Sequence, residues 1–165
     1  MNMTVLVKRS LFAIGFLFAA AQFVRLTKTN PPENVAHTIQ VSTPVGSEVS
    51  RILERSCADC HSDRTAWPWY SSVAPASWLV ISDVNEGREA LNLSRWGLYG
   101  DGQKAKLLTK MCEEISNGKM PMPTYLVIHR HAQMSYTDIQ TLCSWAQASS
   151  QDLASIASTE AKGKN

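Results

Sequence analysis

Charge of one sign is the first thing this sequence lacks. Sixteen lysines and arginines stand against 14 aspartates and glutamates, a formal net of +2. The excess comes from Lys8, Arg9, Arg25 and Lys28, since no acid precedes residue 30 and acids outnumber bases 14 to 12 from there on. A nucleic-acid surface, which needs concentrated basic side chains, is not expected. Cysteine is scarce as well. Of four, only Cys57 and Cys60 are neighbours; Cys112 and Cys143 stand alone, so the second closely spaced ligand pair of a structural zinc site is missing. No nucleophile, base and acid group into a catalytic constellation. The length suits one domain with appendages.

The cysteine pair that is present carries the strongest signal. Cys57-Ala58-Asp59-Cys60-His61 is a C-x-x-C-H sequence, the pattern of covalent haem attachment in c-type cytochromes. Residues three and four apart share one face of a helical turn, so both thiols can add across the two haem vinyl groups while His61 aims a ring nitrogen at the iron. The spacing predicts thioethers at Cys57 and Cys60, His61 as the proximal iron ligand and one haem c as cofactor. A redox-active dithiol of thioredoxin type would follow a strand and precede a helix, whereas here a helical pattern comes before Cys57 and a polar turn after it.

Lys8 and Arg9 precede Leu11–Val24, apolar but for Gln22, and Arg25 and Lys28 follow. Ser10 to Leu26 just reaches the roughly 17 to 25 residues of a spanning helix, while Ala19-Ala20-Ala21 would serve as a cleavage site. Residues 1–26 therefore read as a membrane anchor or a signal segment, and the residues alone leave both open. Either way the bulk of the chain crosses a membrane, with Lys8 and Arg9 staying on the cytoplasmic side. An exported compartment agrees with haem attachment and with oxidised cysteines. Residues 27–46, with Pro31, Pro32, Pro44 and Gly46, read as an extended linker in which His37 is expected to be solvated.

Residues 47–148 are expected to fold as an all-α domain. Ser47-Glu48 reads as a helix start, and Val49, Ile52, Leu53 and Ser56 keep one face, so the haem motif is expected to close this helix. Trp67, Trp69, Tyr70 and Trp78 lie in and around a loop interrupted by proline, with much apolar area to bury on haem, in a core, or both. A second helix begins near Pro75, with Trp78, Ile81, Val84, Arg88 and Leu91 at helical spacing. Arg88 lies near that stripe, where a haem propionate or a neighbouring acid could pair with it. Asn92 to Gly102 is a loop anchored by Trp96. A third helix, from about Gln103 to Asn117, places Leu107, Leu108, Met111, Cys112 and Ile115 on one side and stops at Gly118. Ser135 and Asp138 open a last helix with a variant capping box, and residues 149–165 are expected to form a flexible tail. Cys112 and Cys143 both fall on apolar stripes; a disulfide and two separate buried thiols are equally compatible with that.

Between the last two helices runs Gly118-Lys119-Met120-Pro121-Met122-Pro123-Thr124-Tyr125. Proline removes backbone donors and stiffens an extended chain, which is how a thioether would be presented to iron from a loop. Met120 is the expected distal ligand and Met122, two residues on in extended chain, the alternative. His129 and His131 follow, either as a second imidazole ligand, at the haem edge, or simply at the surface.

These residues together resemble the haem-binding domain family of small bacterial cytochrome c-like proteins. The likeness lies in Cys57–His61, in Trp67-Pro-Trp-Tyr-Ser-Ser-Val-Ala-Pro-Ala-Ser-Trp-Leu-Val80, in Asp83–Arg88 with Leu91–Trp96, and in Gly118–Pro121 with Tyr125 and His129. The resemblance implies a cytochrome c-like helical domain around one covalently bound haem, preceded by a single-pass helix in a bacterial inner membrane, with the domain facing the periplasm. It favours an uncleaved anchor over a signal segment. The function expected on both grounds is one-electron transfer with unidentified redox partner proteins, a carrier rather than a catalyst. The alternative is a peroxidase-like haem enzyme, or a gas or redox sensor, whose distal ligand is displaceable.

Overall fold

The apolar residues spaced at three and four along the sequence come out as helices, and among the described residues there is no strand. A computed structural model describes residues 3–162, with side chains to residue 159. The elements are α1 (Met3–Ala21), α2 (Ile39–Ser42), α3 (Ser47–Ser56), α4 (Ala58–His61), α5 (Ala76–Ala90), α6 (Asp101–Ser116), α7 (Pro123–Leu126) and α8 (Tyr136–Lys162), with 3₁₀ turns at Val35–His37, Trp69–Ser72, Leu93–Leu98 and Arg130–Ala132. The expected all-α class is therefore what the chain adopts.

The core is built from the faces that the spacing marked. Val49, Ile52, Leu53 and Ser56 are the buried residues of α3, and Ala105, Leu108, Met111 and Ile115 those of α6. They meet Leu142 and Ala146 of α8, Ile39 of α2, and Leu93 and Trp96 of the intervening 3₁₀ turn. Trp96 is fully enclosed and its indole N–H donates to Thr43 Oγ1 at 2.8 Å, so the anchoring ring of the 92–102 loop reaches the middle of the domain. Helix α8 opens on the capping box read from the sequence. The Ser135 amide donates to Asp138 Oδ2 at 2.8 Å and the Asp138 amide returns the bond to Ser135 Oγ at 3.1 Å. Arg55 of α3 adds a bond to the same carboxylate at 2.9 Å, clamping the two helices together.

Two expectations are corrected. Residues 27–46 are not a free linker. Ile39 is fully buried, Thr38 and Thr43 nearly so, and His37 is half-buried against Gly97, where an added Cβ would lie 3.1 Å from its Cα. The prolines exclude a long helix, as expected, but the few apolar and hydroxyl groups between them suffice to dock the segment. The expected tail is helical as far as Lys162, the last described residue. Leu153 packs against the core cluster, and Ala154, Ala157 and Ala161 are good helix formers, so α8 continues after its apolar stripe thins. Residues 163–165 lie outside the described residues. Cys112 and Cys143, left open by the sequence, are joined in a disulfide between α6 and α8.

Candidate functional site

Helix α3 ends one residue before the cysteine motif. The Cys57 amide donates to the Leu53 carbonyl at 3.0 Å as the last bond of that helix, after which the Cys60 and His61 amides both turn back to the Cys57 carbonyl, at 3.2 and 2.9 Å. The motif is thus a separate helical turn beginning at a break, rather than the end of α3 as expected. Its one-turn geometry still sets Cys57, Cys60 and His61 on a common cavity wall. Among the described residues, Cys57 and Cys60 are the free cysteines, and no three His, Cys, Asp or Glu side chains converge as a metal cage.

His61 is held in one tautomer. Its Nδ1 lies 2.8 Å from the Gly87 carbonyl oxygen and 3.0 Å from that of Leu91; both are acceptors, so Nδ1 carries the proton and Nε2 keeps its lone pair. Burial lowers the imidazole pKa, only partly opposed by the two carbonyls, and the ring is neutral at pH 7. A neutral imidazole with Nδ1–H bonded to backbone is the state that ligates metal. Burial also pushes the Cys57 thiol up to about 12. Burial, with the Asp59 and Asp83 carboxylates, pushes that of Cys60 up to about 11. Both are thiols at neutral pH, unlike the acidic cysteine of a disulfide-exchange motif.

Helix α5 crosses this turn closely. An added Cβ at Gly87 would lie 2.6 Å from the Cys60 carbonyl oxygen, so only glycine lets α5 approach near enough for its carbonyl to reach His61. Asp59 braces the motif from outside: Oδ2 accepts from the Tyr125 hydroxyl at 2.7 Å and Oδ1 from the Ala66 amide at 3.1 Å. Desolvation together with the bond to Asp59 raises the Tyr125 phenol above its usual range. Gly87, within the Asp83–Arg88 stretch, and Tyr125 carried part of the family resemblance, but neither was given a role at the site. A glycine inside an otherwise amphipathic helix was the available signal for the first.

Two cavities that share Cys57, His61 and Met120 as wall residues open beside the motif. The first, about 260 Å³, is walled by Cys57 and His61, by Leu53, Leu93, Met111 and Ile115 from the core, and by Met120. The second, about 300 Å³, is shared by Cys57, Cys60, His61, Gly87, Met120, Met122 and Tyr125. Together they fall within the roughly 300–1,000 Å³ usual for ligand pockets. Met120 faces both cavities with His61, whereas Met122 faces only the second with it. The presentation of Met120 is local: Gly118 adopts φ +68°, and the Lys119 and Met120 amides both fold back onto the Glu114 carbonyl, at 3.0 and 3.2 Å. Burial and the nearby Glu86 raise the Asp83 carboxyl at the second cavity.

The other sequence candidates are not brought together there. Trp67 donates to Asn30 Oδ1 at 3.1 Å and Trp78 to the Val24 carbonyl at 2.8 Å, while Trp69 is 80% exposed; none of the three walls either cavity. Arg88 is occupied by the chain itself, donating to the carbonyls of Ser62 and Thr29, to Asn30 Oδ1 and to Thr65 Oγ1 at 2.7–2.9 Å. Tyr70 lines a third cavity of about 350 Å³, next to Cys60, with its hydroxyl bonded to His129 Nε2. His129 stacks on Tyr125 at 4.2 Å, and His131 is exposed. Neither histidine walls the two cavities that hold His61 and Met120.

A family model described as a haem-binding domain matches residues 16–148, well over half of the chain, and the chain belongs to that family. No curated protein and no solved structure shows a significant match.

Proposed function

We propose that this member of the haem-binding domain family is a membrane-tethered mono-haem c-type cytochrome that carries single electrons on the exported side of a bacterial inner membrane. The observation that carries the reading is His61. Its Nδ1 is fixed by two carbonyls and its ring lines both cavities together with Met120, so a nitrogen and a sulfur donor border the same two cavities.

The residues present fit haem c. Cys57 and Cys60 would hold its edge by thioethers, His61 its iron from one side and Met120 from the other, with Met122 the alternative. When bound, haem supplies a one-electron ferric/ferrous couple. The chain's own groups set the conditions for it. Leu53, Leu93, Met111 and Ile115 give the first cavity an apolar wall of low dielectric constant, which would disfavour the more charged ferric state, and a soft thioether donor would act in the same direction. The Gly87 and Leu91 carbonyls keep the imidazole oriented. Were both His61 and Met120 to bind the iron, no coordination position would be left for a substrate, and no general base would be required.

Met120→Ala tests the reading against the open-site alternative. In protein purified with its haem, the sulfur-to-iron charge-transfer band is expected in wild type and absent in the variant. The variant's reduction potential is expected to fall by on the order of a hundred millivolts, a fraction of the roughly 0.8 V that axial ligands command. Rapid carbon monoxide binding by the reduced wild type would instead establish a displaceable distal site.

For the anchor, α1 is the one described helix long and apolar enough to cross a membrane, with mean hydropathy 1.6 and no part of it buried. We assign residues 1–26 as its membrane segment and 27–162 as the haem domain with its helical extension. An intact N-terminus on membrane-bound mature protein checks the first assignment; a processed one would make residues 1–26 a signal segment.

A further inference from the structure

Gln22, the one polar interruption in the apolar run, ties α1 to the domain: its side-chain Nε2 donates to the Phe18 carbonyl of α1 at 2.9 Å. The same Nε2 donates to the Ala74 carbonyl at 3.1 Å and the Gln22 Oε1 accepts from the Ala74 amide at 3.0 Å. Gln22 directly follows Ala21, the last residue of α1. The bonds then continue along the chain: the Val24 carbonyl accepts from Trp78, Lys28 donates to Ser72 Oγ at 2.7 Å and to Ser71 Oγ at 3.2 Å, and Asn30 donates to the Thr65 carbonyl at 2.9 Å. A chain pinned at 22, 24, 28 and 30 has no swivel.

Length then decides where the domain sits. Helix α1, Met3–Ala21, is about 28 Å long at 1.5 Å per residue, only just the thickness of the roughly 30 Å hydrocarbon layer. A helix that only just spans leaves the chain beyond it at the boundary, where basic side chains reach outward and apolar residues can enter. Phe23 is 89% exposed and Val24 is exposed too, and they are the next residues available. Whatever is bonded to residues 22–24 lies at the same depth, which is Ala74 and Trp78. The same stretch carries large exposed apolar side chains. Trp69 projects into solvent, edge-on to Tyr70. Leu79 and Ile128, 67% and 66% exposed, border the third cavity together with Ala76. Tryptophans and large aliphatics beside basic residues such as Arg25 and Lys28 are what a lipid interface favours.

We infer that the domain is clamped to its anchor through Gln22 and Trp78 and rests on the bilayer, with Trp69, Leu79 and Ile128 seated among lipid head groups and upper acyl chains. The partner of this surface is the membrane itself. The inference rests on the reading of α1 as a spanning helix.

Photocrosslinking separates the two. Benzoylphenylalanine is placed singly at Ile14, Trp69, Leu79 or Lys106 of the full chain, in vesicles of equal parts phosphatidylcholine and phosphatidylglycerol, and lipid adducts are read by mass. Adducts are expected at positions 14, 69 and 79, several-fold above position 106 on exposed α6. Adducts at 14 with 69 and 79 no higher than 106, or with protein in place of lipid captured there, would overturn the seating and leave the anchor standing. No lipid adduct at 14 would overturn the anchor and the seating with it. In Gln22→Ala combined with Trp78→Phe, adducts at 69 and 79 are expected to fall several-fold while those at 14 hold; unchanged adducts would show that these bonds are not the clamp.

Discussion

Gly87 serves His61 twice over: its carbonyl oxygen accepts from Nδ1 at 2.8 Å, and its bare α-carbon lets α5 pass the motif where a Cβ would meet the Cys60 carbonyl at 2.6 Å. The obstacle is backbone rather than a movable side chain, so α5 must retreat if a methyl is added. Gly87→Ala is expected to cost about 1–3 kcal/mol of stability, the range for overpacking, despite the better helix propensity of alanine. It should also weaken haem retention by loosening the imidazole. Gly102→Ala is the control, since nothing lies within 4 Å of its would-be Cβ. Urea unfolding and haem content of the two variants check both statements.

Arg88 was a candidate haem contact in the sequence, and its four bonds to Ser62, Thr29, Asn30 and Thr65 give it a different task. It stitches residues 29–30, the turn after the motif and α5 together. Arg88→Ala is expected to cost on the order of 3 kcal/mol through unpaired polar groups, with little change in the reduction potential of the protein that still folds. Arg88→Lys should restore little, because an ammonium cannot reproduce the planar fork. A large shift in potential at unchanged stability would instead return Arg88 to the haem.

The helices and their inner faces were legible because α3 and α6 each bury one unbroken stripe, and period alone reports that. The stop at Gly118 and the capping box at Ser135 and Asp138 were legible for the same local reasons. Long-range pairing was not. Nothing in the spacing says that Asn30 bonds Trp67, Arg88 and Thr65 at once, or that Ile39 enters the core from a proline-rich segment. Trp67, Trp69 and Trp78 misled because aromatic content reports area to be buried, not the surface that buries it. Trp67 and Trp78 turn out to be tied to residues on either side of Lys28.

The disulfide between Cys112 and Cys143 closes a loop, separated by 31 residues at its ends, that contains Met120, Tyr125 and His129. Chain entropy for a loop of that size corresponds to about 3–4 kcal/mol. Cys112→Ser with Cys143→Ser is expected to lower stability by roughly that amount and to make Met120 easier to displace, read as faster carbon monoxide binding to reduced protein. Unchanged unfolding would show that α6 and α8 hold the loop without the covalent link.

Asp138 gives the domain a signature in acid. The Ser135 amide and hydroxyl, with Arg55, hold its carboxyl down at about 2 from an ordinary 3.8. A carboxyl depressed in the folded state stabilises above its unfolded value, and that contribution is lost as pH falls from about 4 through about 2. Asp138→Asn is therefore expected to lower stability at pH 7 by about 1 kcal/mol, the usual worth of a cap. The gap between variant and wild-type melting temperatures should close below pH 3; a constant gap across that range would contradict the assignment.

The most direct measurement is the intact mass of denatured protein purified from cells competent to mature cytochromes, together with alkylation of its thiols. Haem welded to the α4 turn predicts a chain heavier by one haem, with Cys57 and Cys60 inert to alkylating reagent. A chain of unaltered mass in which both cysteines alkylate would contradict covalent attachment and remove the basis for His61 and Met120 as an axial pair.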